Sequence, residues 1–249
     1  MTKALPTPGK DWALFLDVDG TLLDIAATPD AVEVPAELCR SLKVIDTSLG
    51  HAVALVSGRS IANLDRIFAP VVLPAAGQHG AELRLAPSSA IVASAPSPQL
   101  PAVSERLRRF AAARPGVLVE DKGRSIAVHF RTADCDRGDL YRLARRAVRE
   151  SGGELELLPA REALDVRPRS ANKGLAVEWF MQSAPFLGRV PVFVGDDLTD
   201  EDGFRAANRF SGHAIRVGRG GKSLARWRIG VPAQVRQWLA EVAATLAGK

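Results

Sequence analysis

Two aspartates separated by one residue are the first in this sequence whose type and spacing suggest catalysis. The segment Asp17-Val18-Asp19-Gly20-Thr21 follows a short apolar run, and Gly20 permits a sharp backbone turn. One carboxylate can attack the phosphorus of a phosphate ester while the other transfers a proton. The attack forms an acyl phosphate, so hydrolysis is divided into two steps. A capped turn explains the same residue types, although a turn does not require both acids. The segment therefore favours phosphoryl transfer through Asp17 and Asp19.

A second acidic segment lies near the end of the chain. Between Gly195 and Asp202, five of eight residues are Asp or Glu, and their repulsion is costly unless water or a cation offsets it. Magnesium suits such a site, because it favours carboxylate and carbonyl oxygens together with water and phosphate. An Asp-rich helix start explains residues 199–202 through the helix dipole, but it does not account for Asp196 at the end of an apolar run. The segment thus predicts a magnesium site that includes Asp196.

Two basic segments could bind the phosphate group. Ser57-Gly58-Arg59 offers a hydroxyl and backbone N–H groups at a helix start, although a simple Ser N-cap is an equal alternative. Lys173 begins another predicted helix, where its charge could neutralise both phosphate and the aspartates. Most lysines at helix starts are merely solvated, because the helix dipole disfavours a cation there. Neither basic segment indicates a phosphate site by itself. The two support one only together with the acidic segments, since all four segments lie at a strand end or a helix start.

Short apolar runs and helical patterns indicate the elements that position these residues. Apolar runs at residues 13–16, 52–56 and 190–194 each end in a polar, Gly-containing turn, as buried strands do. Helices are predicted at residues 36–49 and 173–184. Alternating strands and helices predict a parallel sheet covered on both sides, and ligands of such sheets bind beyond the carboxyl ends of the strands. The unusual acids lie at those ends.

The middle of the chain has a different pattern. Helices are predicted at residues 102–114 and 137–151, and strands at 116–120, 125–131, 154–158 and 162–167. The order helix, strand, strand occurs twice, which is typical of an α+β insertion with antiparallel hairpins. Asp121-Lys122-Gly123 and Pro159-Ala160-Arg161 are the predicted hairpin connections. The Pro- and Ser-rich stretch 86–101 is the predicted entry linker, and residues 167–170 are the predicted exit.

The four segments together resemble the motifs of the haloacid dehalogenase superfamily of phosphatases. The resemblance implies an α/β fold with a Rossmannoid parallel-sheet core and an inserted α+β cap. The catalytic core would comprise residues 1–82 and 168–249, and the cap that selects the substrate would comprise residues 83–167. The cap would then lie between the second and third motifs of the core.

The same resemblance implies a role for each residue that matches a motif. Asp17 would be the nucleophile and a magnesium ligand, and Asp19 would be the acid/base whose backbone carbonyl also binds the metal. Asp196 would complete the protein ligands of magnesium. The remaining catalytic and supporting residues would be Ser57 and Lys173, which stabilise phosphate, and the acids Asp197 and Asp200.

Further stretches resemble trehalose-6-phosphate phosphatases, a family within that superfamily. They are Gly77-Gln78-His79-Gly80-Ala81-Glu82, Val119-Glu120-Asp121-Lys122, Ala127-Val128-His129-Phe130-Arg131 and Leu164-Asp165-Val166-Arg167-Pro168. The resemblance implies magnesium-dependent hydrolysis of trehalose 6-phosphate to trehalose and inorganic phosphate through an aspartyl-phosphate intermediate, in trehalose biosynthesis. The chain departs from the family where Ala160-Arg161 and Asp165 replace its Gly-Lys and Glu. A phosphatase for another sugar phosphate is the alternative, because specificity resides in the cap.

Candidate substrate-binding residues come from both parts of the chain. Charged and hydrogen-bonding side chains of the cap could hold the hydroxyl groups of a disaccharide. The same alternation of polar residues could instead form the solvent face of a hairpin. The candidates are Gly20, Gly58, Arg59, Gln78, His79, Gly80, Glu120, Lys122, His129 and Asp165.

Composition limits the remaining classes of function. The 33 Lys and Arg exceed the 28 Asp and Glu, and the net charge of +5 favours anionic ligands without identifying one. A basic nucleic-acid-binding protein is the alternative from another class, but it leaves the ordered Asp motifs unexplained, so no nucleic-acid partner is expected. No membrane partner is expected either, because no apolar run approaches the roughly 20 residues that span a bilayer.

The cysteines and the N-terminus favour a cytoplasmic protein. Cys39 and Cys135 are far apart and lack a partner at metal-ligand spacing, which predicts two free thiols in a reducing compartment. The first residues lack the apolar stretch of a secretory signal. The four histidines lack zinc-site spacing, so none is proposed as a metal ligand. The expected cofactor is magnesium, which the acidic segments favour. The sequence leaves the oligomeric state open.

Overall fold

The chain folds into two compact units. The structure, a computed structural model, describes residues 4–26, 32–131, 133, 136–159 and 163–248. One unit comprises Met1–Val92 and Asn172–Lys249, and the other comprises Ala93–Ala171. Cys135 and the predicted Ala160-Arg161 turn lie outside the described residues. Among the described residues, no helix combines the length and the apolar character needed to cross a membrane.

Strands and helices are numbered here along the chain. The strands are β1 Trp12–Leu16, β2 Val53–Val56, β3 Ala75–Gly77, β4 Glu82–Arg84, β5 Val92–Ala93, β6 Leu118–Asp121, β7 Ile126–His129, β8 Leu155–Pro159, β9 Ala163–Pro168, β10 Val190–Gly195, β11 His213–Val217 and β12 Trp227–Ile229. The helices are α1 Ala36–Ser48, α2 Ile61–Phe68, α3 Leu100–Ala112, α4 Arg137–Glu150, α5 Lys173–Met181, α6 Asp200–Arg209 and α7 Pro232–Ala247.

A mostly parallel sheet forms the centre of the first unit. Its strand order is β12-β11-β10-β1-β2-β3-β4-β5, and the strands from β12 to β3 run parallel to their neighbours. Every residue of β1 and β2 is buried, which explains why these strands appear in the sequence as continuous apolar runs. Helix α1 packs against α7, and α5 packs against α6. The predicted parallel α/β sheet is confirmed.

A four-stranded antiparallel sheet and two helices make up the second unit. Its strand order is β6-β7-β9-β8, and α3 and α4 pack against each other and against the sheet. Alternate residues of the central strands point into one core, which includes Ile126 and Val128 of β7 and Leu164 and Val166 of β9. The repeated order of helix, strand, strand confirms the predicted α+β character of this segment.

The boundaries of the units and elements differ somewhat from those expected. The first unit continues past residue 82 because β4 pairs antiparallel with β3, and it resumes at Asn172 rather than at residue 168. The predicted linker at residues 86–101 contains β5 and the start of α3. Helix α5 ends at Met181 rather than at residue 184, since Pro185 disfavours a helical conformation in the residue before it.

Candidate active site

The strand ends that carry the predicted site residues lie side by side. Strands β10, β1 and β2 are consecutive and parallel in the sheet. Asp196 directly follows β10, Asp17 directly follows β1, and Ser57 directly follows β2. Because the carboxyl ends of parallel strands meet at one edge, residues from distant parts of the sequence converge there.

Lys173 joins two aspartates in the interior of the first unit. Its Nζ donates hydrogen bonds to Asp17 Oδ1 at 2.7 Å and to Asp200 Oδ1 at 2.6 Å. The side chains of Lys173, Asp17 and Asp200 are 3%, 6% and 0% exposed. The hydroxyl oxygen of Thr21 lies 3.0 Å from Asp17 Oδ2 and 3.2 Å from Asp196 Oδ1. These five side chains, the buried acid cluster, form one connected network.

The start of α5 explains how Lys173 reaches the cluster. The side chain of Asn172 accepts a hydrogen bond from the Leu175 N–H at 2.9 Å, which caps the helix and makes Lys173 its first residue. Gly174 has no side chain at a point where a Cβ atom would meet the Asp202 carbonyl oxygen at 2.6 Å. The Asn-Lys-Gly sequence therefore lets α5 begin tightly against α6, with the ammonium group directed at the acids.

Asp200 shapes the turn that presents Asp196. Its Oδ2 accepts hydrogen bonds from the backbone N–H groups of Asp196 and Asp197, both at 2.9 Å, while Oδ1 accepts from Lys173. The carboxylate of Asp197 accepts from the Leu198 N–H at 2.6 Å. Both oxygens of Asp200 thus hold protein groups in place, and Asp197 stabilises the next residue of the same turn.

Burial and crowding shift the acid–base equilibria of the cluster. Burial raises the pKa of Asp17 well above its usual value, and the charges of Asp200 and Asp196 raise it further, while Lys173 opposes both. Burial and the charge of Asp200 raise the pKa of Asp196 to about 7. Burial would lower the pKa of Lys173, but Asp17 and Asp200 outweigh it and raise that pKa, so the lysine is charged. One lysine faces three acids, and a further cation would favour their ionised forms.

The oxygen atoms of the cluster fit a hard divalent cation. Asp17, Asp196 and Asp200 each offer a carboxylate oxygen, and these atoms lie within 4.8 Å of one another. A donor set made of oxygen alone suits magnesium better than the metals that prefer His or Cys ligands. Two of the three predicted ligand residues, Asp17 and Asp196, belong to this set. For Asp19 the predicted ligand is its backbone carbonyl, and its side chain points elsewhere.

The carboxylate of Asp19 pairs with Arg59. Arg59 Nε donates to Asp19 Oδ2 and Nη2 donates to Asp19 Oδ1, both at 2.7 Å. Arg59 Nη1 donates to the side-chain oxygen of Asn63 at 2.8 Å, in the first turn of α2. The two acids of the first motif therefore have different partners, because Asp17 binds the lysine of the cluster and Asp19 binds the arginine of the second motif.

The Gln78-His79-Gly80 turn supports the Ser57-Gly58-Arg59 loop. The backbone N–H of Gln78 donates to the Arg59 carbonyl at 2.8 Å, and that of His79 donates to the Ser57 carbonyl at 2.9 Å. Gln78 and His79 have φ angles of 47° and 61°, a conformation that non-glycine residues adopt rarely. A Cβ atom on Gly58 would lie 2.8 Å from the ring of His79. Both side chains are buried, so their observed contribution is to the shape of the loop; their predicted contact with substrate stays a prediction.

Three residues that contribute to the site were not among the predicted site residues. Thr21 bridges Asp17 and Asp196, and its position within the first motif was the available signal. Glu82 accepts from the Ile61 N–H at 2.9 Å and from Gln78 Nε2 at 2.6 Å, so it ties the start of α2 to the Gln78-His79-Gly80 turn. Asn63 had no distinguishing signal, because its role depends on Arg59.

The candidate residues of the second unit form a separate group. Ala127 of β7 is in register with Glu120 of β6 and with Asp165 of β9, so the two acids flank Ala127 on one face of that sheet. His129 Nε2 lies 2.9 Å from Glu120 Oε2. This hydrogen bond lowers the pKa of Glu120, burial opposes the shift, and the charge of Lys122 supports it. Glu120 is therefore an oriented, ionised acceptor within the second unit.

Replacing Gly20 with Ala is expected to displace Asp196 and weaken magnesium binding. Gly20 has a φ of +81°, and a Cβ atom there would overlap the carboxylate of Asp196. Calorimetric titration with magnesium should show a clear loss of affinity, together with lower activity. Gly188→Ala is the matched control, because Gly188 also has a positive φ of +76° but no atom within 4 Å of the added Cβ. Equal magnesium affinity in both variants would contradict the prediction.

The sequence is similar to a known protein family and to curated bacterial proteins. Residues 15–228 match the family model described as trehalose-phosphatase. A probable trehalose-phosphate phosphatase of Sinorhizobium fredii is 42% identical over 215 residues, which cover 86% of this chain and 81% of that protein. The trehalose-6-phosphate phosphatase of Escherichia coli is 38% identical over 245 residues, which cover 98% of this chain and 91% of that protein.

The fold agrees with a solved structure as well. The C-terminal domain of the trehalose-6-phosphate phosphatase of Candida albicans superimposes with a TM-score of 0.81, at 23% identity, covering 94% of this chain and 92% of that one. The predicted haloacid dehalogenase-like fold is thereby confirmed. The extent of the match to the family model, together with the two bacterial relatives, shows that the chain belongs to the trehalose-phosphatase family.

Proposed function

We propose that this protein is a magnesium-dependent phosphatase that hydrolyses trehalose 6-phosphate to trehalose and inorganic phosphate through an aspartyl-phosphate intermediate. The observation that carries the proposal is the buried acid cluster, in which Lys173 holds Asp17 at the carboxyl end of β1. A buried, oriented carboxylate beside a fixed cation is suited to nucleophilic attack on an anionic ester. Family membership and the names of the bacterial relatives support the choice of substrate.

The first step transfers the phosphoryl group to Asp17. A carboxylate oxygen of Asp17 forms a bond to phosphorus, and the bond between phosphorus and the sugar oxygen breaks. Asp19 donates a proton to the departing sugar oxygen. Lys173 keeps Asp17 oriented through the 2.7 Å hydrogen bond and offsets negative charge around it.

The second step releases phosphate. A water molecule attacks phosphorus, and Asp19, ionised after the first step, accepts the proton from that water. The bond between phosphorus and the Asp17 oxygen breaks, which restores the carboxylate. Magnesium would be held by Asp17, Asp196 and the backbone carbonyl of Asp19, and it would supply positive charge that offsets the negative charge of the phosphate oxygens.

The loop after β2 is proposed to hold the phosphate group. Ser57 is buried directly after the strand, beside the Asp17 strand end. Its hydroxyl oxygen accepts a hydrogen bond from the Arg59 N–H at 3.1 Å, so the hydroxyl proton can be directed to a phosphate oxygen. The Gly58 N–H is the second proposed donor, and the absence of a side chain at Gly58 makes room for the ring of His79 beside the loop.

The second unit is proposed to act as the cap that selects the sugar. Glu120, Lys122 and Asp165 supply charged groups for sugar hydroxyls, and His129 orients Glu120 by the hydrogen bond described above. Asp165 has a shorter side chain than Glu, but its place beside Ala127 gives it the same face of the sheet as Glu120. A shorter acid can reach a hydroxyl directly or through a bridging water.

Replacing Glu120 or Lys122 with Ala should lower kcat/KM for trehalose 6-phosphate far more than for p-nitrophenyl phosphate. Contacts with the distant part of a substrate position the ester, and a small aryl phosphate lacks that part. Each lost hydrogen bond to a charged group is worth about 1.5 to 3 kcal/mol, which corresponds to a loss of roughly tenfold to a hundredfold. Glu105→Ala, on the exposed surface of α3, is the control. Equal losses on both esters in folded protein would refute the specificity role.

Phosphate release from a panel of sugar phosphates, with magnesium present or chelated, tests the proposed function. We expect the highest kcat/KM with trehalose 6-phosphate and loss of activity when magnesium is removed. A higher kcat/KM with another sugar phosphate would refute trehalose 6-phosphate as the substrate, while the proposed phosphatase mechanism would stand. Undiminished activity in the presence of a chelator would overturn the metal requirement.

A further inference from the structure

Arg59 is held in place by hydrogen bonds of both its side chain and its backbone. Its side chain is 9% exposed, and its Nε, Nη1 and Nη2 atoms donate to Asp19 and Asn63. The backbone of Arg59 is fixed as well, because its N–H donates to Ser57 Oγ at 3.1 Å and its carbonyl accepts from the Gln78 N–H at 2.8 Å. Besides its pairing with Asp19, Arg59 is therefore held by one hydrogen bond of its guanidinium group and two of its backbone.

The pairing with Asp19 has the geometry that fixes a carboxylate. Two parallel N–H···O bonds from one guanidinium to one carboxylate define both the distance and the plane of the acid. Lysine, with a single flexible point charge, cannot impose that plane. The Asp19 side chain is 39% exposed, so the pair lies at the edge of the buried region rather than inside it. Without Arg59 this half-exposed carboxylate would be free to adopt other rotamers.

We infer that Arg59 is a positioning residue for Asp19, and that it acts on the reaction through this acid instead of binding phosphate directly. The inference rests on the proposed function, in which Asp19 donates the proton to the leaving group. An acid contributes to catalysis only if it stays within hydrogen-bond reach of the atom that it protonates. In the protonated form that this step requires, one oxygen of Asp19 carries the proton for the leaving group while the other still accepts from Arg59. Arg59 thereby reduces the conformational freedom lost when the leaving group is protonated.

Two esters distinguish this role from a phosphate contact. The value of kcat/KM reports only the steps up to departure of the leaving group, so the second step does not enter the comparison. Trehalose 6-phosphate releases an alcohol that needs a proton, whereas p-nitrophenyl phosphate releases a phenolate that does not. Loss of a positioning residue for the acid should therefore affect the first ester selectively, and loss of a phosphate contact should affect both.

Arg59→Gln is expected to lower kcat/KM for trehalose 6-phosphate by about tenfold to a hundredfold, a part of the roughly hundredfold or larger contribution of a general acid. Its effect on p-nitrophenyl phosphate should be within about threefold, and inhibition by inorganic phosphate should be unchanged. Arg59→Lys should retain more activity than Arg59→Gln, since one of the two hydrogen bonds can persist. Equal losses on both esters, or markedly weaker inhibition by phosphate, would overturn the inference.

Arg84→Gln is the matched control. Arg84 also donates two hydrogen bonds to one carboxylate, that of Asp65, at 2.6 and 2.7 Å in the same unit. The exposed fractions of the two side chains, 6% and 34%, resemble the 9% and 39% of Arg59 and Asp19. The control should lose thermal stability without changing the ratio of kcat/KM between the two esters. The same change of ratio in both variants would show a general structural effect and refute the role of Arg59.

A double-mutant cycle with Asp19→Asn completes the test. If Arg59 acts through Asp19, Arg59→Gln should cause little further loss of kcat/KM for trehalose 6-phosphate in the Asp19→Asn background. Additive losses would overturn the inference and leave the proposed function standing. If Asp19→Asn itself lowers kcat/KM equally for both esters, the acid role of Asp19 fails, and the inference about Arg59 fails with it.

Discussion

Asp17→Asn should abolish turnover of trehalose 6-phosphate and leave the fold intact. The amide keeps the volume of the carboxylate but loses the anionic oxygen that attacks phosphorus, and with it one contact to magnesium. The loss should be on the order of a thousandfold or more, as for the removal of nucleophiles in other enzymes. Steady-state phosphate release measured at high enzyme concentration gives the residual rate.

A second Asp→Asn substitution separates the chemistry from folding. Asp24 lies seven residues after Asp17 in sequence, and its side chain is exposed. Asp24→Asn should retain the activity of the unmodified protein, and both variants should give the same circular dichroism spectrum. Asp17→Asn protein that releases phosphate at a comparable rate to Asp24→Asn would disprove the nucleophile assignment.

Lys173→Met is expected to have the largest combined effect on activity and stability. The substitution keeps an apolar chain of similar length but leaves the buried carboxylates of Asp17 and Asp200 without their shared cation. Removing one partner of a buried ion pair typically costs about 3 to 5 kcal/mol of unfolding free energy. Turnover should fall as well, because Asp17 loses the donor that orients it. Urea unfolding with magnesium chelated measures the stability.

The destabilisation by Lys173→Met should depend on pH. Asp17 and Asp196 have raised pKa values, that of Asp196 moving from 3.8 to about 7, so the folded state favours their protonated forms. Stability from these groups is present below the ordinary pKa and is lost as pH rises towards 7. Because Lys173 lowers both pKa values, its removal increases the stability lost as pH rises. The decrease in unfolding free energy caused by Lys173→Met should therefore be larger at pH 7 than at pH 4.

Lys222→Met controls for the general effect of replacing a lysine with methionine. Lys222 is exposed in the Gly-rich loop after β11. We expect it to change the unfolding free energy by less than about 0.5 kcal/mol, as surface substitutions usually do. If Lys173→Met is no less stable than Lys222→Met at pH 7, the buried acid cluster does not depend on its lysine.

The centre of the fold was predictable because its strands are buried on both faces. Continuous apolar runs identified β1, β2 and β10, and the acids that follow them in sequence had to lie at the carboxyl edge of the sheet. The outer elements were harder, since β3 and β12 have three residues each and offer too few positions for a period to emerge. Their short length therefore limited the prediction of these two strands.

The contacts between motifs could not be predicted from sequence patterns. Asp19 and Arg59 are 40 residues apart, and their pairing depends on the loop after β2 and on the first turn of α2. The resemblance of residues 77–82 to a known motif identified them as important but not what they do. The structure adds that Gln78 and His79 hold the Ser57-Gly58-Arg59 loop through their backbone N–H groups, in rarely adopted conformations. Such contacts arise from tertiary packing and produce no periodic pattern in the local sequence.

Trapping the phosphorylated enzyme tests the central claim most directly. Asp19→Asn is expected to slow hydrolysis of the acyl phosphate, so the variant should accumulate the intermediate when it is mixed with magnesium and p-nitrophenyl phosphate and then quenched in acid. Mass spectrometry of the digested protein should locate one phosphoryl group on the peptide that contains Asp17, and none when Asp17→Asn is combined with Asp19→Asn. A phosphoryl group found on another residue, or persisting in the double variant, would contradict the account.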